Sequence, residues 1–177
     1  LALSQEEADA FRSYVEAGGS LYASKYASLI DNAGVRHADF MLGDVLGVSY
    51  VGETRETFTY IAPTSEAGDL LTGYSVQWPL GLDQSQVMIT AHEGTQVLGT
   101  LTLPYTLPSD PRRYASIHSN PPGINTGYPA LVLNHFGRGR ALYSGLAFEG
   151  ADMHRDILAN IVRMLAAPFS VTAEAPR

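Results

Sequence analysis

The sequence predicts an α/β domain carrying a partly antiparallel, strand-rich insertion. Three observations predict it. The chain opens with a helix-periodic run that stops at Gly18-Gly19 and passes into a short apolar stretch, Leu21-Tyr22-Ala23, the helix-to-strand step of a parallel sheet. From Glu53 to about Leu103, short runs rich in Thr, Tyr and Val alternate with Gly- and Pro-bearing breaks, which reads as strands joined by turns. Near the end, Ile157, Leu158, Ile161, Val162 and Leu165 recur at helical spacing and define one apolar face.

Each element has its own local reason. Ser4 stands ahead of the first helix with Glu7 three residues on, the pattern of a capping box, and Ala8, Phe11, Tyr14 and Val15 form the face expected to be buried. Asp39 to Val48 has apolar residues at helical spacing and stops near Gly47, which predicts a second helix. Phe58-Thr59-Tyr60-Ile61, Val87-Met88-Ile89-Thr90 and Gln96 to Leu101 are the insertion's strands. Pro104 to Pro129 holds six of the ten prolines and reads as one long loop. Ala130 to Asn134 and Ala141 to Ser144 flank a Gly-bearing turn, which predicts a hairpin. The last helix is expected from about Asp152 to Ala166, stopped by Pro168, with Phe169 to Ala173 as a strand that starts elsewhere.

Composition narrows the function classes. At 177 residues, with 45% hydrophobic and 16% charged, the chain suits a single core. Apolar stretches are too short for a membrane helix, and a net charge of −7 with scattered Lys and Arg argues against a nucleic-acid partner. There is no Cys, so disulfides, thiolate metal sites and a Cys nucleophile are excluded. The five His residues show no metal-ligand spacing, and neither a metal nor another cofactor is expected. Leu1 leads straight into a helix cap, and a helix–GG–strand unit needs neighbouring strands, so the chain is expected to be a piece of a longer protein.

Taken in order, "LSQEEADAFRSYVEAGGSL", "ADFMLGDVLGVSYVG", "SIHSNPPG", "YPALVLNHFGRGRALYSG" and "HRDILANIVRMLAAPFSV" resemble the trimerisation-type domain of β-galactosidases and related multidomain glycoside hydrolases. The resemblance covers nearly the whole chain. It implies a flavodoxin-like sandwich related to class I glutamine amidotransferases, placed after a catalytic (β/α)8 barrel and used for packing and oligomerisation, as a trimer in the family. It implies a domain over 1–168, without the first part of the family's fold, and a following segment over 169–177. The function implied is that of a non-catalytic accessory domain, with the barrel and further copies of the chain as partners; separately, a cytoplasmic location is expected. A carbohydrate-binding module and a divergent amidotransferase-like hydrolase are the other two readings.

Four places in the chain bear on these readings. A working amidotransferase carries a tight strand-to-helix elbow after the paired glycines, and the corresponding stretch here is Ala23-Ser24-Lys25-Tyr26-Ala27. Lys25 takes the nucleophile's place, and a Lys amine is mostly protonated unless desolvated, while Ser24 has no His near it in sequence before His37. The elbow is therefore expected to be vestigial. Trp78 with Tyr74 offers aromatic faces for a sugar or an interface. His118 and Asn120 sit in a proline-stiffened loop suited either to backbone bonding or to ligand contact. Gly137-Arg138-Gly139 lacks the Lys-Ser/Thr of a phosphate loop, and no motif selects a catalytic carboxylate pair among the acidic residues.

Overall fold

A computed structural model describes residues 2–107, 110–116, 119–150 and 154–166. The elements in chain order are α1 (Gln5–Glu16), β1 (Ser20–Ser24), α2 (Gly43–Leu46), β2 (Val48–Glu53), β3 (Thr59–Pro63), β4 (Leu80–Leu82), β5 (Val87–Ala91), β6 (Gln96–Pro104), β7 (Pro122–Phe136), β8 (Gly139–Ser144) and α3 (Arg155–Leu165). Two short helical turns over Ser65–Leu71, joined at Gly68, follow β3. The main sheet runs β1-β8-β7-β6-β3-β4, and β2 pairs with β5 in a separate two-stranded sheet. Among the described strand pairs only β1–β8 is parallel and the others are antiparallel.

Side-chain alternation along β7 and β8 divides the interior into two layers. Leu131, Leu133 and Leu142 face a core with Ile61, Leu71, Leu98, Ile157 and Ile161. Val132, Ala141 and Tyr143 face a second core with Val15, Leu46, Val48 and Ile89. Successive residues of a strand point to opposite faces, and both faces of this sheet are covered, so the two strands read as unbroken apolar runs. The sheet is thus sandwiched between α3 with the helical turns on one side and α1, α2 and the β2–β5 pair on the other.

Several expectations hold in detail. Ser4 Oγ accepts from Glu7 N at 3.2 Å and Glu7 Oε2 accepts from Ser4 N at 2.8 Å, completing the capping box. The β7–β8 hairpin turns at Gly137-Arg138, and Gly139 admits α1 so closely that a Cβ there would overlap Val15 O and Gly19 O.

Others are corrected. The helix expected over Asp39–Val48 shrinks to Gly43–Leu46, because Ser28 takes two of the preceding amides, Met41 N to Ser28 O and Leu42 N to Ser28 Oγ, while Phe40 N turns to the neighbouring Asp39 Oδ1. Gly47 then ends it in the left-handed region (φ 70°), where side-chain-bearing residues are strained. The loop expected over Pro104–Pro129 yields its last part to β7, which starts at Pro122 and pairs with β6 through an irregular register. Prolines fit there because the register shifts leave amides outside the ladder, and Thr126 Oγ1 bonds Leu101 O in their place. On α1, Ala8 and Val15 are buried while Phe11 and Tyr14 are exposed, and Val162 of α3 is exposed too. All three project toward the outer side of β1, an edge strand beyond which no described residue forms a ladder. Asp152, Pro168 and the strand expected over Phe169–Ala173 lie outside the described residues.

Candidate functional site

A tight turn, with no helix after it, follows β1. β1 ends at Ser24, and Lys25 adopts φ 48°, one of two described non-glycine residues in the left-handed region, the other being Ser28 at φ 64°. Such residues cost energy and persist only when their surroundings hold them. Here Lys25 N donates to Ser144 O at 2.9 Å, and the Tyr143 hydroxyl donates to Lys25 O at 2.6 Å. Ser28 is fully buried and receives Leu42 N on its hydroxyl at 3.2 Å. The turn therefore sits at the carboxyl ends of the parallel strands β1 and β8, the place where α/β sheets carry their sites.

Its chemistry is that of a fixed acid rather than of an activated nucleophile. Ser24 Oγ donates to Glu149 Oε1 at 2.5 Å and the Tyr22 hydroxyl donates to Glu149 Oε2 at 3.0 Å. Burial raises the Glu149 carboxyl, but hydrogen bonds from Ser24, its own backbone and Tyr22 outweigh that and leave it below the usual carboxylate range. A carboxylate held ionised in this way is a weak base for the Ser24 hydroxyl. Burial, with the Glu149 charge beside it, pushes the Tyr22 phenol far up. The cluster opens onto a cavity of about 440 Å³ walled by Leu3, Phe11, Leu21, Leu42 and Leu46.

Lys25 itself faces a charged aromatic cluster. Its ammonium lies 6.0 Å from the Tyr26 ring centroid, and the Arg36 guanidinium lies 5.6 Å from that ring and 4.9 Å from Tyr50. Burial and a hydrogen bond to Glu53 push the Tyr26 phenol up to about 12. Burial raises Glu53 in turn, while bonds from Tyr26 and Ser85 and the charges of Lys25 and Arg36 bring it below its ordinary value. The Glu53 carboxylate thus stands near Lys25 as a countercharge.

The remaining sequence candidates are dispersed. Trp78 is 70% exposed on a turn where Ser75 N donates to Trp78 O and Trp78 N to Ser75 Oγ; Tyr74 is half-buried against the core. Asn120 is fixed by two bonds, its Oδ1 accepting Thr106 N at 3.0 Å and its main-chain oxygen accepting the Tyr60 hydroxyl. His118 lies outside the described residues. Sequence reading missed Glu149, which lies far along the chain and is marked by no motif; only the parallel pairing of β1 with β8 brings it to Ser24. A Ser49–His92 contact of 3.0 Å occurs on the β2–β5 pair, with no carboxylate on the imidazole among the described residues. Among the described residues no cluster of His, Asp and Glu suits a metal ion, and no helix is long and apolar enough to cross a membrane.

No family model matches the chain, and no curated protein matches it. Solved structures do. An α-L-fucosidase, isoenzyme 2, from Paenibacillus thiaminolyticus is similar at TM-score 0.66 and 19% identity, over 93% of this chain and 23% of that one. A cold-adapted β-galactosidase from Rahnella sp. R3 is similar at TM-score 0.62 and 20% identity, over 96% and 22%. A cytoplasmic protein from Salmonella typhimurium is similar at TM-score 0.62 and 14% identity, over 95% and 63%. The class defined is a mixed α/β domain of a kind present in larger glycoside hydrolases, and the chain spans about a fifth of the length of those enzymes.

Proposed function

We propose that this chain is a non-catalytic accessory domain of a glycoside hydrolase, packing beside a catalytic domain and contributing to oligomerisation. The supporting observation is the pattern of coverage: 93–96% of this chain matches, over only 20–23% of the β-galactosidase and fucosidase chains. A flavodoxin-like, amidotransferase-related origin fits the parallel β1–β8 pair and the left-handed residue at its carboxyl end. The occupancy of that elbow supports the non-catalytic reading, because Lys25 carries a countercharge and Ser24 donates to an ionised Glu149. Extending over 1–168, with a barrel and further copies as partners in the cytoplasm, the domain would leave hydrolysis to its parent.

The test is a direct assay of the 177-residue chain against nitrophenyl glycosides, glutamine and simple esters, beside the full gene product. The reading predicts no turnover by the chain and glycoside hydrolysis by the full product. Turnover by the chain that Ser24→Ala or Lys25→Ala abolishes would establish the divergent-hydrolase reading instead.

A further inference from the structure

A cleft at the start of β3, beside the loop that joins β6 to β7, has the composition of a ligand site. Two adjoining cavities of about 580 and 490 Å³ share Phe58, Thr106 and Asn120 as a common wall. Their sizes fall in the range that small-molecule sites occupy. The first is completed by Tyr60 and Ser119 and the second by Arg55 and Glu56. Among the described residues the charged members of the wall, Arg55 and Glu56, are of opposite sign.

The wall is built before any ligand arrives. The Phe58 ring packs edge-on against Tyr60, with centroids 5.1 Å apart at 70°. The Tyr60 hydroxyl donates to Asn120 O, Asn120 Oδ1 accepts Thr106 N, and Tyr105 N donates to Pro121 O at 2.7 Å. These bonds fix the Asn120 side chain by its oxygen. Its Nδ2 has no partner among the described residues, and neither has Thr106 Oγ1 or Ser119 Oγ. The cleft therefore presents one oriented aromatic ring, an amide with two donors, and two hydroxyls that both donate and accept.

We propose that this cleft binds a neutral hexopyranoside, with Phe58 against the apolar face of the ring and Asn120 Nδ2, Thr106 Oγ1 and Ser119 Oγ bonding its hydroxyls. A pyranose matches the wall because one side of it is C–H surface and its edge is a ring of hydroxyls that need partners of both kinds. An anion would meet Glu56, and an apolar ligand would leave the Asn120 donors unpaired. The site adds a ligand to the accessory role proposed above and does not depend on how the domain assembles.

The experiment is a titration of the 15N-labelled chain with methyl β-D-glucopyranoside, methyl β-D-galactopyranoside and methyl β-D-mannopyranoside. It is repeated on Phe58→Leu and Asn120→Asp. Phe58→Leu keeps an apolar side chain and loses the ring; Asn120→Asp keeps an acceptor for Thr106 N and loses the donors. Saturable shifts at Phe58, Thr106 and Asn120 with at least one glycoside are expected, with dissociation constants raised about tenfold in each variant, as for a lost stacking or hydrogen-bonding contact of ordinary strength. Thermal melts of both variants close to that of the parent would show that a loss of binding is not a loss of fold. If either variant melts early, Thr106→Val serves in its place, with the same expected loss. No saturation with any of the three, or saturation that Phe58→Leu and Asn120→Asp leave unchanged, would overturn the proposal while leaving the assembly role standing.

Discussion

At the scale of single residues, Lys25 and Glu149 carry the account. Lys25 occupies a left-handed conformation that costs a side-chain-bearing residue about 1 kcal/mol, and its backbone bonds to Ser144 and Tyr143 remain available to glycine. Lys25→Gly is therefore expected to stabilise the chain by about 1 kcal/mol in urea unfolding, whereas a residue catalysing a reaction there would be missed only in an assay. A turn after β1 was legible at Ser24-Lys25 because small residues and paired glycines mark such turns locally. The sequence could not reveal Glu149, whose approach to Ser24 depends on strand pairing across the sheet. Glu149 also makes a pH prediction. Its carboxyl is lowered in the folded chain, so its contribution to stability is present above the unfolded-state value, near 4.5, and is lost as pH falls through the lower folded value. The stability gap between the parent and Glu149→Gln should accordingly be seen at pH 7 and close on acidification. A gap of constant size from pH 7 to pH 3 would mean that the Ser24 and Tyr22 bonds do not depend on the charge.

Secondary-structure elements were legible where local chemistry decides them and obscure where tertiary partners do. The capping box fixed the start of α1, and apolar runs bounded by turn residues fixed β3, β5, β7 and β8. The helix expected over Asp39–Val48 failed because Ser28, buried and left-handed, claims the amides of Met41 and Leu42. Nothing in the spacing of Phe40, Met41 and Leu42 shows that competition. The start of β7 was hidden for a related reason: prolines argue against a strand interior, yet the shifted register with β6 accommodates them. The junction of α1 with the β7–β8 hairpin gives the sharpest test at this scale. Gly139 lies against the Val15 and Gly19 carbonyls, and backbone on both sides leaves no room for a methyl group. Gly139→Ala should thus destabilise by about 3 kcal/mol or prevent folding, at the upper end for single substitutions, while Gly150→Ala, with open space around it, should change the unfolding midpoint little.

For the whole molecule, the two cores and the single parallel pair describe a sheet that changes character along its width. At the β4 side it is antiparallel throughout; at the β1 side it is a parallel pair covered by α1 and α3. Phe11, Tyr14 and Val162 stand exposed around the outer side of β1, where α1 and α3 leave grooves along the strand. Apolar groups gathered at a sheet edge suit a surface that is covered in a larger assembly. This agrees with the accessory role and could not be read from the sequence, where the same residues appear as the buried faces of ordinary amphipathic helices. The most direct test of that role is the apparent mass of the native gene product in its source cells, detected with an antibody against this chain. The account predicts a product several times heavier than 19.0 kDa, as for one domain of a multidomain enzyme. A product of the chain's own mass would contradict it.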